Sequence, residues 1–268
     1  MTAQPMPSDV PQPFLPGTVT LVGAGPGDPE LLTLKAVRAI ASATVLLVDD
    51  LVNEAVLVHA SPRARIVPVG KRGGCKSTPQ AFIEKLMLMA AREGEVVVRL
   101  KGGDPFIFGR GGEEVEYLES EGIRVQVVNG ITAGLGGMTA LGAPLTHREH
   151  AHGVVFVTGH AKPGDIGTDW KALATTVHEA KLTLVIYMGV SGAADIQAQL
   201  LTGLPASTPL AIIQHATLPQ QRHAVSTLGA LTDTIARERL GSPAVIVIGD
   251  VVRGIAAVNQ TDRLSNAA

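Results

Sequence analysis

Cysteine is almost absent from this chain: of 268 residues, only Cys75 carries a thiol. That excludes an intrachain disulfide framework and any multi-cysteine metal site, and it fits a reducing compartment. Aromatic residues are nearly as scarce, with five Phe, two Tyr and one Trp, so a stacking platform for nucleic-acid bases is not expected. Surplus positive charge is missing as well. The 22 Lys and Arg stand against 24 Asp and Glu, a formal net charge of −2. A nucleic-acid coat needs clustered excess cation, so that function is argued against. No apolar run approaches the roughly 20 residues of a membrane helix. No Lys or Arg precedes Lys35, so the charged start of a secretory signal is lacking. The expectation is a soluble cytoplasmic protein with neither nucleic acid nor membrane as partner.

What the chain has is apolar bulk. Hydrophobic residues make up 46% and charged ones 17%, below the roughly 25% charged of ordinary soluble domains. At this length a large core is expected, divided between two domains of about 100–150 residues each. Residues 1–16 hold Pro5, Pro7, Pro11, Pro13 and Pro16 and read as a mobile tail; residues 254–268 read as a second tail. Between them, short β-branched runs alternate with helical stretches. Strands are expected at 18–22, 44–48, 66–69, 96–100 and 125–128, then at 154–158, 183–188, 209–214 and 244–248. Most are continuous apolar runs, the pattern of strands covered on both faces. Helices are expected at 79–92, with Phe82, Leu86 and Met89 as the buried stripe, and at 111–121. Such alternation predicts an α/β protein of two domains, 17–146 and 147–253, with mostly parallel or mixed sheets. The division falls in a polar, His-rich stretch at 144–153.

Three glycine-rich stretches follow strand ends. The first is Val22-Gly23-Ala24-Gly25-Pro26-Gly27-Asp28-Pro29. Glycines there let backbone turn sharply and approach a ligand closely. As a dinucleotide fingerprint it fits badly: Pro26 interrupts, and Asp28 takes the slot of the third glycine. Taken alone, a tight turn with no ligand accounts for it better than a phosphate cradle. The second stretch, 99–114, places Lys101-Gly102-Gly103-Asp104 and Gly109-Arg110-Gly111-Gly112-Glu113-Glu114 beyond the fourth strand. Loops at the carboxyl ends of strands are where open α/β sheets bind ligands, although a solvated loop with a capped helix would read the same. The third, Asn129-Gly130-Ile131-Thr132-Ala133-Gly134, permits close approach of either a ligand or another helix.

In this order the three stretches resemble the tetrapyrrole methyltransferases. The resemblance continues through Val69-Gly70-Lys71-Arg72, Pro144-Leu145-Thr146-His147-Arg148, Val157-Thr158-Gly159-His160, 184–189 (LVIYMG), 219–222 (PQQR) and Gly249-Asp250-Val251-Val252. It covers about residues 18–253. It implies methyl transfer from S-adenosyl-L-methionine to carbons of a reduced tetrapyrrole, in a cleft between the two domains of a homodimer. The implied substrate is uroporphyrinogen III, methylated twice through precorrin-1 to precorrin-2. A sulfonium cofactor without phosphate explains why the first loop fails as a pyrophosphate cradle.

The resemblance also implies roles. Pro26, Gly102, Gly103, Asp104, Ile107, Thr132, Ala133, Met188 and Ala216 line the cofactor site, Ala216 standing where relatives usually carry Gly. Asp49 matches a proton acceptor and Lys71 a proton donor. Arg110 is a third catalytic candidate; always protonated, it suits electrostatic stabilisation or carboxylate binding, with Glu113 holding its fork. An octacarboxylate substrate also calls for local cation, and His147 and Arg148 are candidates beside Arg110 and Glu113. No metal is expected: the histidines at 147–152 lack an acidic or thiolate partner at a recognised spacing. Read without the resemblance, Asp49 is equally a helix cap, Lys71 a solvated charge and Met188 a core residue. Asp50 replaces a cation usual in relatives, and Asn129 a proline. Two other functions stay open: methylation of a later precorrin, and a nicotinamide oxidoreductase using 23–28 with Asp49 or Asp50 on the ribose.

Overall fold

The computed structural model of the protein describes residues 13–70, 78–160, 164 and 167–255. The expected proton donor Lys71, with Arg72, Cys75 and Lys76, lies outside the described residues. Two five-stranded sheets organise the rest. The first contains Thr18–Gly23 (β1), Val45–Val48 (β2), Arg65–Pro68 (β3), Val96–Lys101 (β4) and Val125–Val128 (β5), in the order β3-β2-β4-β1-β5 and parallel throughout. Parallel strands need crossovers, and Leu34–Ser42 (α1), Gln80–Arg92 (α2) and Gly111–Ser120 (α3) provide three of them. β1, β2 and β4 are buried along their full length, as continuous apolar runs require. Their register sets Gly23 beside Lys101 and Val48 beside Leu100, so the three strands end together at one edge.

Ala133–Ala140 (α4) leaves the first sheet and packs on the second. Met138 is buried with Val185, Ala211, Ile213 and Val247. The divide expected at 146/147 therefore lies downstream of a helix already seated on the other half. The second sheet holds Gly153–Thr158 (β6), Leu182–Tyr187 (β7), Pro209–Gln214 (β8), Arg222–Thr227 (β9) and Ala244–Ile248 (β10) in the order β6-β7-β10-β8-β9. Only β6 and β7 pair in parallel; the other three pairings are antiparallel. Trp170–Glu179 (α5), Ala193–Leu200 (α6) and Leu231–Arg237 (α7) cover one face.

Three details differ from the sequence reading. β9 was not expected, because it is an edge strand alternating exposed and half-buried residues rather than a solid apolar run. In α2 the buried side is Ile83, Met87, Leu88, Ala90 and Ala91, while Phe82 and Met89 are more than half exposed. The helix is apolar nearly all round, so periodicity alone selects the stripe one residue off. Finally, Phe14 packs against the first core and Ile255 is buried in the second half, although both fall within the expected tails.

Candidate active site

The three glycine stretches meet. Gly103 N donates to Gly25 O at 2.7 Å, and Gly25 N returns a bond to Gly103 O at 3.2 Å, which ties the first loop to the second. Gly130 lies so close to Gly23 and Gly103 that a Cβ on Gly23 or Gly130 would collide with backbone; here glycine is needed for close approach. Asp104, 7% exposed, clamps the second loop to the third. Its Oδ2 accepts from Gly130 N at 3.0 Å and from Asn129 Nδ2 at 3.3 Å, and its Oδ1 accepts from Phe106 N at 2.8 Å. Both oxygens of a carboxylate expected to face cofactor thus hold the loops themselves.

The same loops cross to the second half. Tyr187, at the end of β7, shares a 2.6 Å hydrogen bond with Thr132 Oγ1 and accepts from Gly134 N at 2.9 Å. Burial raises its phenol above the usual 10.0. Its ring centroid lies 5.0 Å from that of Phe108 in the second loop. Pro26 fits against Gly136, where a Cβ would collide with it and would also meet Thr217. Asp28 N donates to Thr217 Oγ1 at 2.9 Å, and Thr217 N to Gln221 Oε1 at 2.6 Å. Phe108, Met188, His215 and Thr217 all have left-handed backbone, with φ of 54°, 55°, 52° and 64°. Such conformations are uncommon outside glycine and gather at functional sites. Ala216, between two of them, is buried against Gly137. Pro26, Gly102, Gly103, Asp104, Ile107, Thr132, Ala133, Met188 and Ala216 therefore belong to one connected group of loops from both halves.

Charge is layered at the same edge. On the rim, Arg110 begins α3, and its Nε donates to both oxygens of Glu113 at 3.1 Å while Nη2 also reaches Oε2. That pair is about half exposed, and the bond to Glu113 raises the guanidinium further above its already high range. Beneath it, Arg99 and Lys101 of β4 are 2% exposed and Glu114 is fully buried. Glu114 accepts from Arg99 Nε at 3.3 Å, Lys101 Nζ at 3.0 Å and Gln80 Nε2 at 3.0 Å. Asp49, partly exposed after β2, lies 3.7 Å from Arg99 Nη2. Burial, then the neighbouring Arg99, lowers the Lys101 ammonium below 10.5. No motif assigns a role to Arg99 or Lys101; their one signal in the sequence is that two cations lie inside a six-residue apolar strand.

The chain matches the model of the tetrapyrrole (corrin/porphyrin) methylases over residues 18–232. It belongs to the tetrapyrrole methylase family. The methylase is 58% identical to the uroporphyrinogen-III C-methyltransferase of Pseudomonas aeruginosa over 89% of this chain and 96% of that one. It is 48% identical to the sirohaem synthase of Nitrosomonas europaea, over 90% of this chain but 50% of that longer protein. Among solved structures, the Thermus thermophilus uroporphyrin-III C-methyl transferase complexed with S-adenyl homocysteine superposes with a TM-score of 0.73, at 42% identity over 88% of this chain and 99% of that one.

Two candidates in the methylase stand apart from this group. His147 and Arg148 lie in a hairpin closed by two 2.9 Å bonds between His147 and Ala151. His152 N donates to Lys181 O, so the hairpin sits where β6 and β7 begin. Tyr187 and Met188 sit where β7 ends, about 20 Å away for a six-residue strand. The hairpin also gathers ligand-type atoms of His147, Glu149 and His150 within 4.8 Å, supplying an acidic neighbour where none was read. All three side chains are exposed, and His147 Nδ1 is taken by Glu149 N at 3.2 Å. A cavity of about 360 Å³ borders Glu149, His150, His178, Lys181 and Asp250; it too lies at the start of β7, away from the converging loops.

Proposed function

We propose that this methylase transfers methyl groups from S-adenosyl-L-methionine to two carbons of uroporphyrinogen III, through precorrin-1 to precorrin-2. The observation that carries the reading is the junction of three glycine loops with Tyr187 and Met188. It occurs in a chain 42% identical to a protein complexed with S-adenyl homocysteine. The residues present fit that cofactor. At the junction, Gly103 is bonded through both backbone groups to Gly25 and Gly102 is packed on Leu51, so the loops meet with no side chain between them. The cations described at this edge, Arg99, Lys101 and Arg110, are each paired with a glutamate. Pro26, Ile107, Thr132, Ala133, Met188 and Ala216 would form the walls, with Asp104 acting as the clamp that keeps the loops together. When bound, the cofactor supplies an electrophilic methyl on a sulfonium.

The protein's share of the reaction is then position and charge. Near-attack placement of a carbon nucleophile is worth a large part of the barrier, and loops held from both halves provide a rigid frame for it. Asp49, partly exposed at the end of β2, is the proton acceptor for the ring after carbon–carbon bond formation. Arg110, fixed by Glu113, offers its fork to a substrate carboxylate, and Lys71 is the proton donor. The nicotinamide reading loses support because the first loop leads into a single 3-10 turn, Pro29–Leu31, and not into a helix whose N-terminus could hold a pyrophosphate.

We assign the protein to the cytoplasm as a homodimer. A lone cysteine suits a reducing compartment, and no helix of the described residues is long and apolar enough to cross a membrane. Leu34 of α1 and Val58 of the adjoining turn Glu54–His59 are apolar and more than half exposed, which suits a surface covered by a second copy. Incubation with S-adenosyl-L-methionine and uroporphyrinogen III, followed by mass spectrometry, tests the activity. Two added methyl groups are expected. A tetrapyrrole left unmethylated refutes the function, and a product stopping at one methyl refutes the two-step assignment.

A further inference from the structure

A buried ion network lies under the candidate site, and methyl transfer as described makes no use of it. Glu114 of α3 is fully buried, with Arg99 and Lys101 of β4 and Gln80 of α2 converging on it. Burying ions this way is an inefficient source of stability, since packed apolar residues of similar volume often do as well or better. The network's shape suggests another use. The Arg99 guanidinium is planar and can serve two partners at once. Its Nε is held by Glu114 at 3.3 Å and its Nη1 by Leu100 O at 3.3 Å, which leaves Nη2 aimed at Asp49 Oδ2 from 3.7 Å. That separation attracts without forming a hydrogen bond. Among the described residues, no hydrogen bond to the Asp49 carboxylate is present, and its side chain is about one-third exposed, so its lone pairs stay available.

We propose that Arg99 is a positioning residue: anchored by Glu114, it fixes the Asp49 carboxylate at the strand-end edge while leaving both of its oxygens open to substrate. This rests on the reading of Asp49 as the group that takes the substrate proton. Lys101 supplies the second buried cation: Glu114 holds one oxygen on Arg99 and the other on Lys101, and Arg99 alone bridges Glu114 and Asp49. Because α2, α3, β4 and the end of β2 all contribute, the carboxylate is referenced to the sheet rather than to a surface loop.

The test compares wild type with Arg99→Met, Arg99→Lys, Asp49→Asn and the Arg99→Met/Asp49→Asn double variant. The readouts are methyl-transfer kinetics, S-adenosylhomocysteine affinity by calorimetry, and crystal structures. Misplacing a reacting group by about 1 Å costs on the order of 100-fold, and Arg99→Met is expected to lower kcat by that much with cofactor affinity unchanged. Arg99→Lys should recover part of the loss, because charge is kept and the fork is not. The double variant should be no slower than Asp49→Asn alone. The inference is overturned if the two losses multiply, if cofactor affinity falls along with kcat, or if Arg99→Met turns over like wild type. Should Arg99→Met fail to fold, Arg99→Lys carries the same comparison. The crystal structure of Arg99→Lys decides independently of turnover: a displaced Asp49 carboxylate supports the inference, and an unmoved one sinks it. A wild type that binds S-adenosylhomocysteine yet leaves uroporphyrinogen III unmethylated would defeat the functional reading, with that crystallographic comparison still deciding the role of Arg99.

Discussion

Glu113 and Glu114 are adjacent in the first turn of α3, and the fold treats them as opposites. Glu113 stands at the rim, paired with Arg110 and about half exposed. Glu114 points into the sheet, fully buried, with three donors on two oxygens. A helix turns about 100° per residue, so one position separates a solvated charge from a buried one. Both suit a helix start, where acids are favoured by the dipole, and that preference does not distinguish them. What distinguishes them is desolvation. A rim charge can turn toward a ligand at little cost, whereas a buried charge is useful only while its partners stay fixed.

The largest effect should come from breaking the buried side. Glu114→Ala leaves Arg99 and Lys101 desolvated without their counter-charge, a loss of about 3–5 kcal/mol measurable by urea denaturation. If Glu114→Ala and Glu113→Ala destabilise equally, the contrast is void. Glu114→Gln sharpens it through pH. Lys101 already has a lowered ammonium pKa in the fold, and loss of the Glu114 charge lowers it further. Below 10.5 the unfolded chain then holds a proton that the folded chain has released, so stability rises with pH in that window. The thermal midpoint of Glu114→Gln should climb toward alkaline pH more steeply than that of wild type; a parallel profile would contradict the network.

Next in size are the loop clamps. Gly130→Ala would drive a Cβ into Gly23 and the Gly103 carbonyl. It should lower S-adenosylhomocysteine affinity by more than about tenfold, or 1.4 kcal/mol, in calorimetry. Unchanged affinity would show that the loops need not interlock. Tyr187→Phe keeps the ring contacts with Phe108 and Phe156 and removes the bonds to Thr132 and Gly134. Stranding the Gly134 N–H should cost about 1–3 kcal/mol. The sign of its pH effect is opposite to that of Lys101. Tyr187 keeps its proton in the fold above 10.0, so its contribution is full below that pH and fades as pH rises through the folded value. Tyr187→Phe should therefore flatten the alkaline limb of the stability curve.

These sites also show what sequence could and could not give. Apolar runs identified nine of the ten strands of the described residues, parallel and antiparallel alike, because even the exposed edge β3 keeps Ile66 and Val67 in sequence; β9, an edge with exposed Arg222 and His223, left no such run. Glycine clusters pointed to the loops, since close approach has a residue signature. Partners did not. Asp104 reads as a ligand group until Gly130 is seen on it, and Arg99 reads as a strand interruption until Glu114 and Asp49 are placed around it. Spatial adjacency across 15 or 50 residues is a product of register, which composition does not encode. His147 and Arg148 show the converse, attractive by charge and set at the far end of β7.

The smallest stability effect belongs to the rim. Glu113→Gln removes a half-exposed charge whose pair with Arg110 is screened by water, so the unfolding free energy should change by only about 0–1 kcal/mol. Its functional effect should be disproportionate. Arg110 sits in left-handed backbone at φ 58°, a conformation that would direct a long side chain poorly without its carboxylate partner. Released, the guanidinium samples more rotamers, and a substrate carboxylate must order it again. Steady-state kinetics should show a raised KM for the tetrapyrrole with the cofactor KM unchanged. If the tetrapyrrole KM does not move, the rim pair is only a helix-start ornament, and the division between a working rim and a fixed floor fails at the rim.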